Sequence, residues 1–218
     1  MSIETLSYGN MIEQLPADSY LVIHNVEWDE YEALLAAFGE NKGLRLSYDA
    51  GRLEIMVLST EHENYAELIK QIIGTLSLRL RVKVLHFGSA TMRKKGHRKG
   101  AEPDACFYVQ HAESIGKRKH IDFSSDPPPD IVVQVDLHHD SLSKFPIYAT
   151  FGVKELWRYD GRSLHIYHLK NGEYVAADAS LALPMLTSSR LTELLDHSQA
   201  ESQYDVLRRF EDWLRDQV

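Results

Sequence analysis

Cysteine is almost absent from this chain, which has only Cys106 among 218 residues. A single cysteine excludes an intramolecular disulfide and a zinc site built from several cysteines, and it suits a reducing compartment. Long apolar runs are lacking too, since none reaches the roughly 18 residues that span a bilayer. The first fifteen residues also lack a basic stretch followed by an apolar one. We therefore expect a cytoplasmic protein that does not enter a membrane.

Positive charge is the other scarce feature. The chain has 24 Lys and Arg against 32 Asp and Glu, which gives a formal net charge of −8. This negative net charge argues against a protein that coats nucleic acid non-specifically. It still permits an enzyme that binds DNA through a local basic strip. The 44% hydrophobic and 26% charged fractions are those of a soluble globular protein, and the length suits one domain with a real core.

Polar residues interrupt one strongly apolar segment, at 126–159. A triple proline is followed by an apolar run at 131–135 that predicts a buried strand, and Gln134 and Asp136 interrupt this run at period two. Side chains two residues apart share one face of a strand. Because burying polar groups without partners is costly, the end of this strand is where we expect a site.

Hydrophobic periodicity and turn signals predict the other elements. They form a mixed α/β (α+β) fold, with a central mixed sheet flanked by helices and extended by β-hairpins. The predicted helices are 28–38, 60–81, 141–151 (interrupted at Pro146), 190–195 and 202–218. The predicted strands are 20–26, a hairpin over 44–58, 82–88, 105–109, 131–135, a hairpin over 154–168, and 174–177.

A basic run precedes the motif Glu102-Pro103-Asp104. Charge runs are usually solvated loops, and that interpretation is the ordinary one here. The position of the run directly before Asp104 favours the alternative, a nucleic-acid-binding surface. Its cations are Arg93, Lys94, Lys95, Arg98 and Lys99.

Four residues have the layout of a metal-dependent phosphodiesterase. Asp104 is followed after about thirty residues by Gln134 and Asp136 on a strand, and then by Lys144. Such a site needs an acid to hold a hard cation, a second oxygen ligand from an adjacent strand, and a lysine near the attacking water or the phosphate. Each residue also has a structural interpretation: a turn cap, a satisfied amide, a loop cap and a solvated lysine.

The segments LEIMVLSTEHENY, EPDACFYV and PPPDIVVQVDLHHDSLSKFPIYATFGVKELWRYDG resemble the Uma-two family of restriction-endonuclease-like proteins, within the PD-(D/E)-x-K nuclease superfamily. The resemblance implies a restriction-endonuclease-like core over 44–161, inside a single domain of residues 1–218. An N-terminal arm and helix (1–43) precede this core, and a C-terminal hairpin and helices (162–218) follow it. It further implies an endonuclease that acts on DNA with Mg²⁺ or Mn²⁺.

The resemblance also assigns roles to residues. Asp104 matches the metal-binding aspartate, Gln134 stands where the family has glutamate, and Asp136 stands where the superfamily has lysine. Lys144 looks like a migrated substitute for that lysine. Secondary candidates on the preceding hairpin and first core helix are Glu54, His62 and Glu63.

Gln134 is the departure from the family pattern, because a neutral amide replaces a carboxylate. Two versions stay open: a competent nuclease whose second carboxylate is Asp136, and an impaired nuclease fold that binds nucleic acid or acts as a dimeric regulator. The aromatic C-terminal helix and the hairpin over 154–168 favour a homodimer.

Overall fold

The computed structural model describes residues 12, 14–38, 43–118 and 121–217. These residues form two β-sheets flanked by helices, which confirms the predicted mixed α/β fold. The helices are α1 (Trp28–Phe38), α2 (Thr60–Leu80), α3 (Ala112–Ile115), α4 (Phe145–Phe151), α5 (Ser188–His197) and α6 (Gln203–Asp216). The strands are β1 (Tyr20–Ile23), β2 (Leu44–Asp49), β3 (Arg52–Val57), β4 (Leu85–His86), β5 (Met92–Lys94), β6 (Lys99–Ala101), β7 (Ala105–Tyr108), β8 (Ile131–Val135), β9 (Glu155–Tyr159), β10 (Leu164–Lys170) and β11 (Glu173–Ala177).

The first sheet has the order β1-β3-β2-β6-β5 and is antiparallel throughout. The predicted hairpin β2–β3 lies at its centre. Its two-residue turn places Ala50 and Gly51 at φ values of 47° and 104°, as such turns require. Tyr31 and Leu34 of α1 belong to the apolar cluster on one face of this sheet. The other face carries the polar side chains of β2 and β3.

The second sheet has the order β11-β10-β9-β8-β7-β4, with β8 and β9 parallel and the other pairs antiparallel. The predicted apolar strand is β8, and all five of its residues are buried. Ile131, Val133 and Val135 face a cluster with α2, α5 and α6, while Val132 faces α4. The strand is thus covered on both faces.

Helix α2 is the longest helix, as predicted. Ser59 caps its start by accepting a hydrogen bond from the backbone N–H of His62. Arg81 ends it in the left-handed conformation. The predicted strand 82–88 is reduced to Leu85–His86, because Val82 bonds back to Ser77 through both its N–H and its carbonyl. No helix among the described ranges is both long and apolar enough to cross a membrane.

Three local expectations change. Pro146 does not interrupt a helix but lies in the first turn of α4, where a missing N–H costs no hydrogen bond. The hairpin β9–β10 has no free edge, since β8 and β11 flank it, and β11 is the edge strand. The apolar face of α6 packs into the core cluster that contains α2. Most of the predicted N-terminal arm lies outside the described residues.

Candidate active site

The tripeptide Glu102-Pro103-Asp104 carries the chain from β6 of the first sheet to β7 of the second. Glu102 Oε2 accepts a hydrogen bond from the N–H of Leu46 on β2 at 2.9 Å. Asp104 Oδ2 accepts one from the N–H of Val135 on β8 at 2.8 Å, and the N–H of Asp104 donates to Val133 O at 3.1 Å. The two acids therefore join the sheets, and the catalytic candidate Asp104 lies at the junction.

Gln134 and Lys144 meet beside this junction. Lys144 Nζ donates to Gln134 Oε1 at 3.0 Å, and Gln134 Nε2 donates to the hydroxyl of Tyr148 at 2.8 Å. Both side chains are buried, with Gln134 at 1% and Lys144 at 5% exposure. Tyr148 thus orients the amide so that its oxygen faces the lysine.

Three cationic side chains surround the carboxylate of Asp104, which is itself 1% exposed. Arg45 Nε lies 3.4 Å from Oδ1, and His62 Nε2 lies 3.4 Å from Oδ2. Burial alone raises the pKa of Asp104, but the charge and hydrogen bond of His62, with the charges of Arg45 and Lys144, hold that pKa well below its usual value. The carboxylate is therefore ionised at neutral pH.

The two titratable cations of the cluster shift in opposite directions. Burial lowers the pKa of His62, but the charge and hydrogen bond of Asp104 outweigh it and raise that pKa above its ordinary value. Burial lowers the pKa of Lys144, and the charges of Asp104 and Asp136 offset this only in part. Lys144 is consequently an amine that holds its proton less tightly than a solvated lysine does.

Asp136 follows β8 directly and is also buried. Its Oδ2 accepts hydrogen bonds from the N–H of Ser141 at 2.8 Å, from the hydroxyl of Ser141 at 3.0 Å, and from Arg158 Nε. Burial raises the pKa of Asp136 above its usual value, against the Ser141 and Arg158 hydrogen bonds. These contacts fasten the loop that leads into Lys144. That Asp136 supplies the second carboxylate of a metal site stays a prediction.

The secondary candidates differ in their relation to Asp104. His62 contacts it directly, and Glu63 is linked to it through Arg45, whose NH2 lies 3.2 Å from Glu63 Oε1. Glu54 is buried, and its carboxylate accepts a hydrogen bond from Ser47 Oγ at 3.0 Å and pairs with Arg52. Those contacts lie toward the turn of the hairpin.

The basic run forms the hairpin β5–β6 rather than a loop. Most of its cationic side chains form ion pairs with acidic side chains. These acids offset the positive charge of the run. That it binds nucleic acid stays a prediction. The pairs are Arg93–Glu32 at 3.6 Å, Lys95–Asp29 at 3.2 Å, Arg98–Glu27 at 3.1 Å and Lys99–Asp49 at 2.7 Å.

Sequence reasoning missed Arg45, Glu102 and Tyr148. Arg45 stands at a polar position of the alternating strand LRLSYD, and Tyr148 follows Lys144 at the helical spacing of four. Both signals were present in the sequence. Glu102 gave no signal beyond its place next to Pro103, since its hydrogen bonds go to Leu46 and Thr91, distant in the chain.

The oxygens at the site fit a sparse divalent-metal site rather than an all-protein cage. In the described ranges, no group of three or more His, Cys, Asp and Glu side chains is arranged to hold a metal ion. Asp104 Oδ1, however, is a buried carboxylate oxygen without a hydrogen bond from any described residue. Gln134 Oε1, which accepts from Lys144, is another buried oxygen of the candidate site. An ion such as Mg²⁺ commonly takes one or two carboxylates and fills its shell with water and substrate phosphate.

Comparisons with known proteins agree with this architecture. A crystal structure of a protein described as a putative nuclease belonging to DUF820, from Anabaena variabilis, matches with a TM-score of 0.54 and 15% sequence identity. The match covers 78% of this chain and 99% of that chain, and it shows a shared fold. No curated protein matches the chain. The model of the family Uma2, described as "Putative restriction endonuclease", matches residues 28–216. The chain therefore belongs to the Uma2 family of restriction-endonuclease-like proteins.

Proposed function

We propose that this chain is a divalent-metal-dependent endonuclease that hydrolyses DNA phosphodiester bonds. Its active site in this proposal consists of Asp104, Gln134 and Lys144. One observation carries the proposal: an ionised carboxylate, an amide oxygen and a lysine amine are buried together where the two sheets meet. Buried charges without a structural need are rare, because desolvating each is costly. Groups kept in such a place are typical of a functional site.

Asp104 Oδ1 and Gln134 Oε1 are the oxygens that would hold Mg²⁺ or Mn²⁺. When bound, the ion would offset phosphate charge and lower the pKa of a bound water. Asp104 suits the role because its low pKa keeps it charged and because Val135 fixes only its other oxygen. Gln134 is weaker as a ligand, since it adds no charge, so we expect low metal affinity before substrate binds.

Lys144 is the group we assign to the scissile phosphate or to the attacking water. Because burial lowers its pKa, its ammonium group gives up a proton more readily than that of a solvated lysine. The hydrogen bond to Gln134 holds its amine in place. Asp136 is a positioning residue in this proposal, because it secures Ser141 three residues before the lysine.

Plasmid cleavage tests the proposal. Purified wild-type protein with supercoiled plasmid and Mn²⁺ or Mg²⁺ should give nicked and linear DNA, and EDTA should stop the reaction. Asp104→Asn and Lys144→Gln should each abolish cleavage. Asp212→Asn, a change at a largely exposed acid of α6, should leave it intact. Cleavage that persists in Asp104→Asn would identify a contaminating nuclease and end the proposal.

A nucleic-acid-binding protein without catalysis is the second candidate. Gln134 favours it, since a neutral amide stands at the position where the family pattern has its second acid. This candidate predicts metal-independent and strongly salt-dependent DNA binding. Neutralising Arg93, Lys94 and Lys95 together should remove that binding, and binding that needs Mg²⁺ would argue for the nuclease instead.

A homodimer would suit the cleavage of both DNA strands. The edge strand β11 presents unpaired backbone groups, and Val175 on it is 46% exposed. We infer that a second copy pairs there. Sedimentation should show a dimer at micromolar concentration and a monomer for Val175→Lys; a wild-type monomer would contradict this inference.

A further inference from the structure

Arg45 covers the oxygen of Asp104 to which the proposed function assigns a metal ion. Its guanidinium is buried, with the side chain 6% exposed, and Nε lies 3.4 Å from Asp104 Oδ1. That oxygen has no solvent-accessible surface of note and no hydrogen bond from a described residue. The contact is therefore an electrostatic one, and the oxygen is compensated by charge without being tied by a directional bond.

The same guanidinium also forms an ion pair with a second carboxylate. Arg45 NH2 lies 3.2 Å from Glu63 Oε1, and NH1 donates to Leu44 O at 2.9 Å. Glu63 is 43% exposed, in contrast to the buried Asp104. Arg45 therefore bridges a buried acid and a more exposed one, and a small movement toward Glu63 would uncover Asp104 Oδ1 without leaving the arginine unpaired.

We propose that Arg45 is the resident counter-ion of Asp104 Oδ1 and is displaced toward Glu63 when a divalent metal ion binds. The proposal rests on the proposed function, because it concerns that same site. A cation with two positive charges and a guanidinium cannot share one buried carboxylate oxygen without strong repulsion. Metal binding and arginine displacement are thus coupled, and Arg45 lowers the metal affinity of the free protein. Arg45 is a positioning residue for the metal.

Calorimetric titration of Mn²⁺, with no nucleic acid present, measures this coupling. Arg45→Gln should tighten Mn²⁺ binding by at least about tenfold, because it removes one positive charge next to the ligand. Arg52→Gln is the matched control, since it removes an equal charge at the turn end of the same hairpin, and its affinity should equal that of wild type. Unchanged or weaker binding by a folded Arg45→Gln protein would overturn the proposal.

Glu63→Gln provides a second test, in which the Arg45 side chain is first kept and then replaced. It removes the acceptor of the displaced arginine, so Mn²⁺ affinity should fall several-fold, and this loss should vanish in the Arg45→Gln background. A loss that persists in the double variant, or no loss at all, would contradict displacement toward Glu63. If wild type binds Mn²⁺ and neither change behaves as stated, only this inference fails. If neither wild type nor Arg45→Gln binds Mn²⁺, the metal-dependent function fails with it.

Discussion

Among single residues, Gln134 is the departure from the family pattern at the candidate site. Its amide oxygen accepts a hydrogen bond from Lys144, and its amide nitrogen donates one to Tyr148. The sequence indicated the position through the polar interruption of an apolar strand, and the family resemblance gave it a role. The sequence could not predict which way the Gln134 amide points, because its orientation depends on a hydrogen bond to Tyr148, which lies on a different element.

Replacing Gln134 by glutamate should strengthen metal binding. The change adds a negative charge among the oxygen ligands, and one charge near a cation is worth on the order of 1 kcal/mol or more, which is about tenfold in affinity. Calorimetry with Mn²⁺ measures it. Gln110→Glu adds the same charge at an exposed position and should not change the affinity. Equal affinity for Gln134→Glu and wild type would show that Gln134 does not face the ion.

His62 should make stability depend on pH. Its folded-state pKa is raised, so its ionised form stabilises the fold below the unfolded pKa of about 6.5, and this stabilisation is lost as pH rises through the folded pKa. Urea unfolding should therefore give a lower free energy of unfolding at pH 8.5 than at pH 6. His62→Gln should reduce this difference, whereas His97→Gln, at an exposed position, should retain it. The same difference in all three proteins would refute the His62–Asp104 pair.

At the scale of elements, local signals predicted most helices and strands. Helix α2 came from its cap and apolar spacing, and the hairpin β2–β3 from its turn residues. Burial is harder to predict: Glu54 alternates with apolar residues as an exposed residue would, yet it is buried against Ser47. Alternation gives the face of a strand, but only tertiary packing decides whether that face meets water.

Helix α4 and strand β8 are coupled through the hydroxyl of Tyr148. Tyr148→Phe leaves Gln134 Nε2 buried without its acceptor, which costs about 1–3 kcal/mol, and it frees the amide to turn away from Lys144. We expect lower stability in urea unfolding together with reduced plasmid cleavage. Tyr174→Phe removes a comparable hydroxyl, which donates to Val153 O at 2.9 Å, and should lower stability without reducing cleavage. Full cleavage by Tyr148→Phe would show that catalysis does not depend on the orientation of the Gln134 amide.

In the molecule as a whole, the junction between the two sheets is the feature that sequence patterns did not predict. Sequence patterns predicted one central mixed sheet with added hairpins, and the mixed sheet is present. The N-terminal strands, however, form an antiparallel sheet of their own. Strand pairing is set by contacts between residues far apart in the chain, such as Glu102 with Leu46, so local patterns could not give it.

Glu102 should contribute to the stability of the whole fold because it fastens this junction. Its carboxylate accepts from Leu46 N–H at 2.9 Å and from the Thr91 hydroxyl at 2.6 Å. Glu102→Gln keeps the shape but loses one acceptor oxygen, which should cost about 1–3 kcal/mol in urea unfolding. Glu113→Gln, at an exposed acid that pairs with Lys83, should cost almost nothing. Equal stability of the two variants would show that the junction does not depend on Glu102.

In the proposed function, Asp104 and Gln134 hold a divalent ion beside Lys144. A crystal soaked in Mn²⁺ can locate this ion through the anomalous signal of the metal. We predict one peak within coordination distance of Asp104 Oδ1 and Gln134 Oε1, which is lost in crystals of Asp104→Asn. A fully soaked crystal with no peak there, or with its peak at other residues, would contradict the account.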